Sequence, residues 1–182
     1  MAGAVSALRA ATARRSLSLL VLAIAAGAGR VARADDCQLT ILANDMIQYN
    51  ARTLHVDAGC PQVELTLRHV GKQEAHVLGH NWVLARTADV AALASAGSSA
   101  GFGSGYLPAG DPRIIAATKI VGGGESTTAT ISMSRLAVGG DYTYFCSYPG
   151  HTSMMRGRFQ VTASASMAAN RAEAATQPAP NP

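Results

Sequence analysis

The sequence predicts an all-β domain, a β-sandwich or barrel with one short helical insertion. Residues 62–69 alternate between apolar and polar side chains, with Val63, Leu65 and Leu67 on one face, which is typical of a half-buried strand. Similar short stretches recur about every 8–12 residues, separated by turn residues, as in sandwiches and barrels. Within the predicted domain only residues 87–94 have the composition of a helix.

The predicted elements follow in chain order. Thr87 is the expected cap of the helix, and Asp89 lies where the helix dipole favours an acid. The helix is expected to fray into a flexible Gly/Ser-rich connector at residues 97–105. Gly122–Glu125 predicts a hairpin turn between two strands. The predicted strands are 37–42, 46–49, 53–57, 62–69, 81–85, 114–121, 126–132, 141–145 and 158–161.

Residues 1–34 have the pattern of a secretory signal peptide. A basic stretch with Arg14-Arg15 precedes an apolar run at 17–26, and Ala32-Arg33-Ala34 fits a cleavage site, which predicts a mature start near Asp35. The alternative is an uncleaved anchor, but the apolar run is short for a membrane span. The sequence therefore predicts export to the periplasm of a Gram-negative bacterium, by the general or the twin-arginine route. Residues 163–182, rich in Ala and Pro, predict a disordered tail.

The positive charge belongs to the predicted signal peptide. The whole chain has a formal charge of +4, but five of its fifteen basic residues lie in residues 1–34. The remaining ten basic residues face eleven acidic ones. This balance gives no reason to expect a nucleic-acid partner, and the mature chain has no predicted membrane span.

The chain contains three cysteines. In an exported protein the odd one needs a separate explanation. The simplest is a disulfide between Cys37 and Cys60, with Cys146 as a metal-bound thiolate; the alternative is that Cys146 is a buried free thiol. Closing that loop would stabilise the fold by roughly 3–4 kcal/mol on the chain-entropy account.

Residues 146–155 carry the strongest chemical signal. Cys146, His151 and Met155 have the spacing C-x4-H-x3-M, with a Pro149-Gly150 turn between the first two. Thiolate, imidazole and thioether together suit copper. A further histidine is needed, and the candidates outside the loop are His55, His69, His76 and His80. His80 is favoured because it stands at the head of a strand, after Gly79.

These stretches resemble the azurins, a family of blue copper proteins among the cupredoxins. The resemblance covers about residues 37–162 and rests on Gly79-His80-Asn81-Trp82, on residues 113–119 and on the C-x4-H-x3-M loop. It implies a cupredoxin-like Greek-key fold for residues 35–162 and one type 1 copper. The implied ligands are His80, Cys146 and His151, with Met155 as a weak axial ligand in preference to Met154, and the Gly79 carbonyl opposite it.

The resemblance also implies supporting residues. Asn81 would tie the two ligand segments together with Ser147 as partner, and the backbone N–H groups of Asn81 and Tyr148 would donate to the Cys146 sulfur. His151 would be the electron port, in an apolar rim of Leu78, Pro149 and Met154. His69 matches an azurin histidine that titrates near the metal, but Val70-Gly71 replaces the usual Pro-Gly after it.

The implied function is a periplasmic electron carrier, not an enzyme, which cycles between Cu(I) and Cu(II). Its implied partners are redox proteins such as c-type cytochromes or copper and haem reductases. The alternative is a periplasmic copper-binding or delivery protein, a class that usually has open, Met- or His-rich sites. A copper enzyme such as a nitrite reductase is disfavoured, because the chain lacks a second histidine cluster.

Overall fold

The computed structural model describes residues 37–163. The predicted signal peptide lies outside the described residues, as does the predicted tail apart from its first residue. Nine strands and two α-helices follow in order: β1 Gln38–Asn44, β2 Gln48–Tyr49, β3 Thr53–Asp57, β4 Gln62–His69, α1 Ala75–Leu78, β5 Val83–Arg86, α2 Val90–Ala100, β6 Ala116–Ala117, β7 Ser126–Ser132, β8 Tyr142–Phe145 and β9 Arg156–Thr162.

Two facing sheets confirm the all-β prediction. One sheet has the order β2-β1-β4-β7 and the other the order β3-β9-β8-β5-β6. Strands β1 and β4 pair in parallel, as do β3 and β9, and the other pairs are antiparallel. Neighbours in each sheet are therefore often distant in sequence, so segments far apart along the chain meet at the same end of the sandwich.

The main core lies between the sheets. Strand β4 contributes Leu65 and Leu67, the facing sheet contributes Tyr144 and Phe159, and Trp82 joins them from the position just before β5; all five are buried. Burying an aliphatic side chain of this size contributes about 1.5–3 kcal/mol. The alternation read along residues 62–69 is present as strand β4, whose apolar face packs into this core.

A second, smaller core explains the helical insertion. Val90 and Leu93 of α2 pack on Val83 and Ala85 of β5 and on Phe145 of β8. Because α2 covers the outer face of the sheet there, β5 and β8 are buried on both faces and carry nearly continuous apolar runs. Trp82, on the opposite side, belongs to the main core.

The helix begins and ends differently from the prediction. A 3-10 turn at Thr87–Asp89 precedes α2, which continues through Gly97 to Ala100 rather than fraying after residue 94. Thr87 is not a cap, since its hydroxyl donates to Asp141 Oδ1 at 2.8 Å. Gly97 packs closely enough on Tyr106 that an added Cβ would lie 2.0 Å from its carbonyl oxygen, so the helix C-terminus is held by tertiary packing. The single turn α1 was not predicted.

The predicted hairpin around Gly122–Glu125 is wrong. Only Ala116–Ala117 of the predicted 114–121 strand is a strand, and it pairs with β5. Strand β7 pairs with β4 in the other sheet. The glycine-rich turn therefore carries the chain from one sheet to the other, and Gly123 has no room for a side chain, because a Cβ would lie 2.5 Å from the Cα of Lys72.

The sandwich has two distinct ends. At the loop end, defined by residues 79–81 and 146–155, β8 delivers the chain into its following loop and β4 ends at His69. At the disulfide end, Cys37 and Cys60 form the predicted disulfide, and β5, β7 and β9 end at Arg86, Ser132 and Thr162. Within residues 37–163, no helix is long and apolar enough to cross a membrane.

Candidate metal centre

Three buried side chains meet at the loop end. His80, Cys146 and His151 each place one donor atom so that the three atoms lie within 4.8 Å of one another. The residues are 0%, 0% and 4% exposed. Two of them come from one loop and the third from the segment before β5, so the fold brings together the histidine, cysteine and histidine that the sequence singled out.

Strand β8 and a tight loop position Cys146 and His151. The chain turns after Tyr148, where His151 N–H donates to its carbonyl at 3.0 Å, and Gly150 adopts φ 85°. That positive φ explains the glycine of the Pro-Gly pair. Cys146 N–H donates to the Met155 carbonyl at 3.0 Å, which closes the loop. The Cys146 sulfur and His151 Nδ1 are 3.7 Å apart.

Backbone contacts at both sides position His80. Its N–H and carbonyl form a two-way bridge with Val121, at 3.0 and 2.9 Å. On the ring, Nε2 lies 2.9 Å from the Asn44 carbonyl, and as donor it fixes the tautomer with a free Nδ1 lone pair. This Nδ1 is buried without a hydrogen-bond partner in the described chain. A buried, unpaired nitrogen beside a thiol and a second imidazole is suited to a metal.

Gly79 is required here for packing. A Cβ at this position would lie 2.3 Å from the Ala75 carbonyl oxygen and 2.5 Å from Ile120 Cγ2. The glycine lets the α1 turn pack directly against the strand entry, which places His80. The predicted role of its carbonyl as an axial contact remains a prediction.

Burial sets the protonation of the three donors. It lowers the pKa of His80 to about 4, with the neighbouring His69 and His151 acting in the same direction, and it lowers the pKa of His151. Both imidazoles are therefore neutral near pH 7, the form that binds metals. Burial raises the pKa of the Cys146 thiol to about 11, against the opposing backbone N–H groups of Asn81 and Tyr148. Metal binding would consequently release the thiol proton.

Asn81 and Ser147 join the two segments. Asn81 Nδ2 donates to Ser147 Oγ at 2.8 Å, and Ser147 N–H donates to Asn81 Oδ1 at 2.9 Å. Both side chains also donate to the Gly105 carbonyl, at 3.0 and 2.9 Å. The pairing that the sequence suggested is thus part of a three-way network, and the Gly/Ser-rich connector is one of its anchors.

The two methionines have different environments. Met155 is 0% exposed and belongs to the same core cluster as Cys146, whereas Met154 is 51% exposed. Around the nearly buried His151, Pro149 is exposed and Leu78 is half-buried. These positions are compatible with Met155 facing the centre and Met154 facing solvent.

Several contacts at this end were not predicted. The Tyr148 ring stacks on His151 with centroids 4.7 Å apart, and its hydroxyl donates to the His76 carbonyl at 2.7 Å. Tyr49 donates its hydroxyl to the Asn81 carbonyl. The His69 ring lies 4.6 Å from that of His80 and its Nε2 lies 3.1 Å from Asp45 Oδ1. The backbone acceptors carry no signature in side-chain identity, so only the folded chain reveals them.

These donors fit copper. Neutral imidazole and thiolate are soft to borderline ligands, and two imidazoles with one cysteine form the trigonal set of blue-copper sites. The unpaired His80 Nδ1, adjacent to the other two donors, is the observation on which this fit rests.

Comparisons with known proteins agree with this geometry. The family model of copper binding proteins, plastocyanin/azurin family, matches residues 35–162. An azurin from Achromobacter denitrificans is 46% identical over 129 residues, covering 71% of this chain and 87% of its own. Azurin-2 of Alcaligenes xylosoxydans xylosoxydans is 46% identical over 125 residues, covering 69% and 97%.

A solved structure is similar as well. The azurin Az-iso2 of Methylomonas sp. strain J has a TM-score of 0.67 and 42% identity, covering 69% of this chain and 97% of that one. The family-model match at residues 35–162 includes both sheets and both segments that supply the buried donors. The chain therefore belongs to the plastocyanin/azurin family of copper-binding proteins, and its cofactor is a single type 1 copper.

Proposed function

We propose that this protein is a periplasmic one-electron carrier. His80, Cys146 and His151 would hold the metal, with the Met155 thioether and the Gly79 carbonyl as weak axial contacts. The observation that carries the proposal is the trio of buried donor atoms within 4.8 Å of one another. When bound, copper supplies a centre that gains and loses one electron as Cu(II) and Cu(I).

The surrounding residues suit rapid electron exchange. The Asn81–Ser147–Gly105 hydrogen bonds fix the two ligand segments relative to each other, so that the donors keep one arrangement in both oxidation states. The N–H groups of Asn81 and Tyr148 stabilise negative charge on the Cys146 sulfur. Complete burial of Cys146 and Met155 excludes water from the donors.

The proposed electron port is His151. It is the only one of the three donor residues with measurable exposure, 4%. Around it lie the exposed Pro149 and Met154 and the half-buried Leu78, a small apolar surface suited to brief docking of a redox partner. C-type cytochromes or copper and haem reductases are the proposed partners.

The periplasmic location rests on the signal-like residues 1–34 and on a disulfide in the folded domain, which favours an oxidising compartment. Copper delivery is the second candidate. It is disfavoured because all three donors are buried, whereas a delivery protein must release its metal to a partner.

Copper loading tests the proposal. The mature protein with Cu(II) should turn intensely blue, with the narrow copper hyperfine splitting of a type 1 site, and the colour should vanish rapidly on mixing with a reduced c-type cytochrome. A colourless product or ordinary splitting would rule out the type 1 electron carrier. A blue protein that exchanges no electrons but gives up copper readily to a chelator would support delivery instead.

A further inference from the structure

At the disulfide end, far from the buried donors, a cavity of about 350 Å³ opens to solvent. Its lining includes three arginines, Arg86, Arg113 and Arg135, together with Asp89, Pro112 and Ile115. Arg86 is the last residue of β5 and pairs with Tyr142 at the start of β8, whereas Cys146 follows the other end of β8. The cavity therefore lies across the sandwich from the metal centre.

Two of the guanidinium groups are held in place by the protein. Arg135 Nη1 donates to the Ile114 and Ile115 carbonyls at 2.8 and 3.0 Å, and its Nη2 donates to the Pro112 carbonyl at 2.7 Å. Arg113 forms a two-point pair with Asp111, from Nε at 3.0 Å and from Nη2 at 2.6 Å. Each contact fixes a planar cation whose remaining N–H groups are still available.

Arg86 is the cation without a partner. Its side chain is exposed and forms no hydrogen bond or ion pair with any residue in the described range 37–163. It also directly precedes the continuous helical run from Thr87 to Ala100, whose first N–H groups no side chain caps. The positive end of that helix adds to the charge of Arg86.

The local charge balance favours an anion. The cavity lining contains three guanidinium groups and one carboxylate, that of Asp89, whereas the nearby carboxylates of Asp111 and Asp141 accept from Arg113 and from the Thr87 hydroxyl. Asp111 is already occupied by Arg113, and Asp89 forms no ion pair within residues 37–163, acting on Arg113 only at longer range. Arg86 and Arg135 therefore form no ion pair within residues 37–163, and Asp89 is the one carboxylate in the lining that faces them.

We propose that this cavity is a binding site for a small oxyanion, a phosphate or a carboxylate. Arg86 is the mobile ligand that closes on the anion, and the free edges of Arg113 and Arg135 provide the pre-oriented donors. Guanidinium groups match the geometry of phosphate and carboxylate oxygens in two-point contacts. The site is independent of the proposed electron transfer, since it shares no residue with the metal centre.

The experiment is a titration of the mature copper-loaded protein, in the reduced state, with inorganic phosphate. Calorimetry gives the affinity, and amide NMR shifts locate the binding. We expect saturable binding with shifts confined to residues 86–90, 112–115 and 133–136. Chloride at equal ionic strength should give no saturable binding. The blue band of the oxidised protein should stay unchanged with phosphate, which separates this site from the metal.

Arg86→Gln removes the unpaired cation, and we expect it to weaken phosphate binding about tenfold, the usual loss for one charge-assisted contact. Arg68→Gln is the matched control, because Arg68 is likewise an exposed strand arginine but lies near the loop end. The proposal is overturned if phosphate does not saturate, if Arg86→Gln binds as well as the parent, or if both variants lose affinity equally.

Discussion

The loop end and the disulfide end both gather side chains from distant parts of the chain, but they hold them by opposite means. At the loop end the gathered groups are buried and neutral, and His80 Nδ1 has no partner in the described protein. At the disulfide end the groups are charged and open to water, and Cys37–Cys60 joins the first strand to the start of β4 covalently.

The two ends therefore differ in what completes their structure. The loop end is completed by a metal, because His80 Nδ1 is buried beside two further donors and has no partner in the described chain. The disulfide end needs no metal, because a covalent bond joins its segments and its charged groups are open to water. Changes at the loop end should therefore alter the copper site, while changes at the disulfide end should alter folding stability and leave the copper site intact.

The largest effect is expected from Cys146→Ser. The serine oxygen is a harder and weaker donor than the thiolate, so the intense visible band should disappear entirely while the fold remains. Visible absorption and far-UV circular dichroism measure the two properties. Ser153→Ala, an exposed change in the same loop, should keep the full colour. Survival of the band in Cys146→Ser would show that another residue supplies the sulfur donor.

Removal of the disulfide tests the other end. The bond spans 23 residues, and the variant Cys37→Ala/Cys60→Ala should lower the free energy of unfolding of the copper-free protein by about 3–4 kcal/mol. Urea unfolding measures this loss. The visible spectrum of the folded, copper-loaded variant should match that of the parent. A changed spectrum would mean that the disulfide end influences the copper site and that the two ends are coupled.

Asn81→Ala should have an intermediate effect at the loop end. It leaves the buried Ser147 N–H without its acceptor and removes two further hydrogen bonds, a cost of about 1–3 kcal/mol per buried group left unpaired. Ser147→Ala keeps the N–H bond to Asn81, so its loss should be smaller. Urea unfolding measures the loss of stability in each variant, and voltammetry measures the change in reduction potential. Equal losses of stability in the two variants would contradict the proposed role of the N–H bond.

The methionines offer a smaller and more local test. Met155→Leu conserves volume in the core, so it should keep the fold and the colour while shifting the reduction potential. Met154→Leu changes an exposed residue and should leave the potential nearly unchanged. Voltammetry measures the shift in reduction potential of each variant relative to the parent. A larger shift in potential for Met154→Leu would mean that Met154, rather than Met155, contacts the copper.

The smallest effect concerns Asp111 at the disulfide end. Its contacts with Arg113 lower the pKa of this carboxyl from 3.8 to about 2. A lowered folded-state pKa stabilises the protein above pH 3.8, and the contribution is lost as the pH falls toward 2. Asp111→Asn should therefore flatten the acid dependence of stability within this window alone, as measured by urea unfolding at several pH values. An effect confined to neutral pH would contradict the ion-pair explanation.

Structural features that depend on neighbouring residues were predicted from the sequence more accurately than long-range ones. The C-x4-H-x3-M loop and the alternation of β4 depend on neighbours within a few residues, and both are recovered in the fold. The hairpin at Gly122–Glu125 was wrong because a turn does not reveal which sheet receives the next strand. The extent of α2 was missed because Gly97 is held by packing on Tyr106.

The same limit applies to the metal centre. Gly79-His80-Asn81-Trp82 pointed to the second segment through a resemblance, and the structure brings His80 beside Cys146 and His151. The carbonyls of Asn44 and Gly105, which orient His80 and tie Asn81 to Ser147, could not be predicted, because every residue carries a carbonyl. Only the folded arrangement of β1 and of the connector after α2 selects them.

The parallel pairing of β3 with β9, and of β1 with β4, brings both termini of the described domain, residues 37 and 163, to the disulfide end. A linker fused to either terminus would therefore start on the side remote from His151. Tethering the domain through such a linker to an electrode or to a fused enzyme would leave the proposed electron port facing outward. For a bioelectronic device, attachment through residues 149–154 would instead cover it.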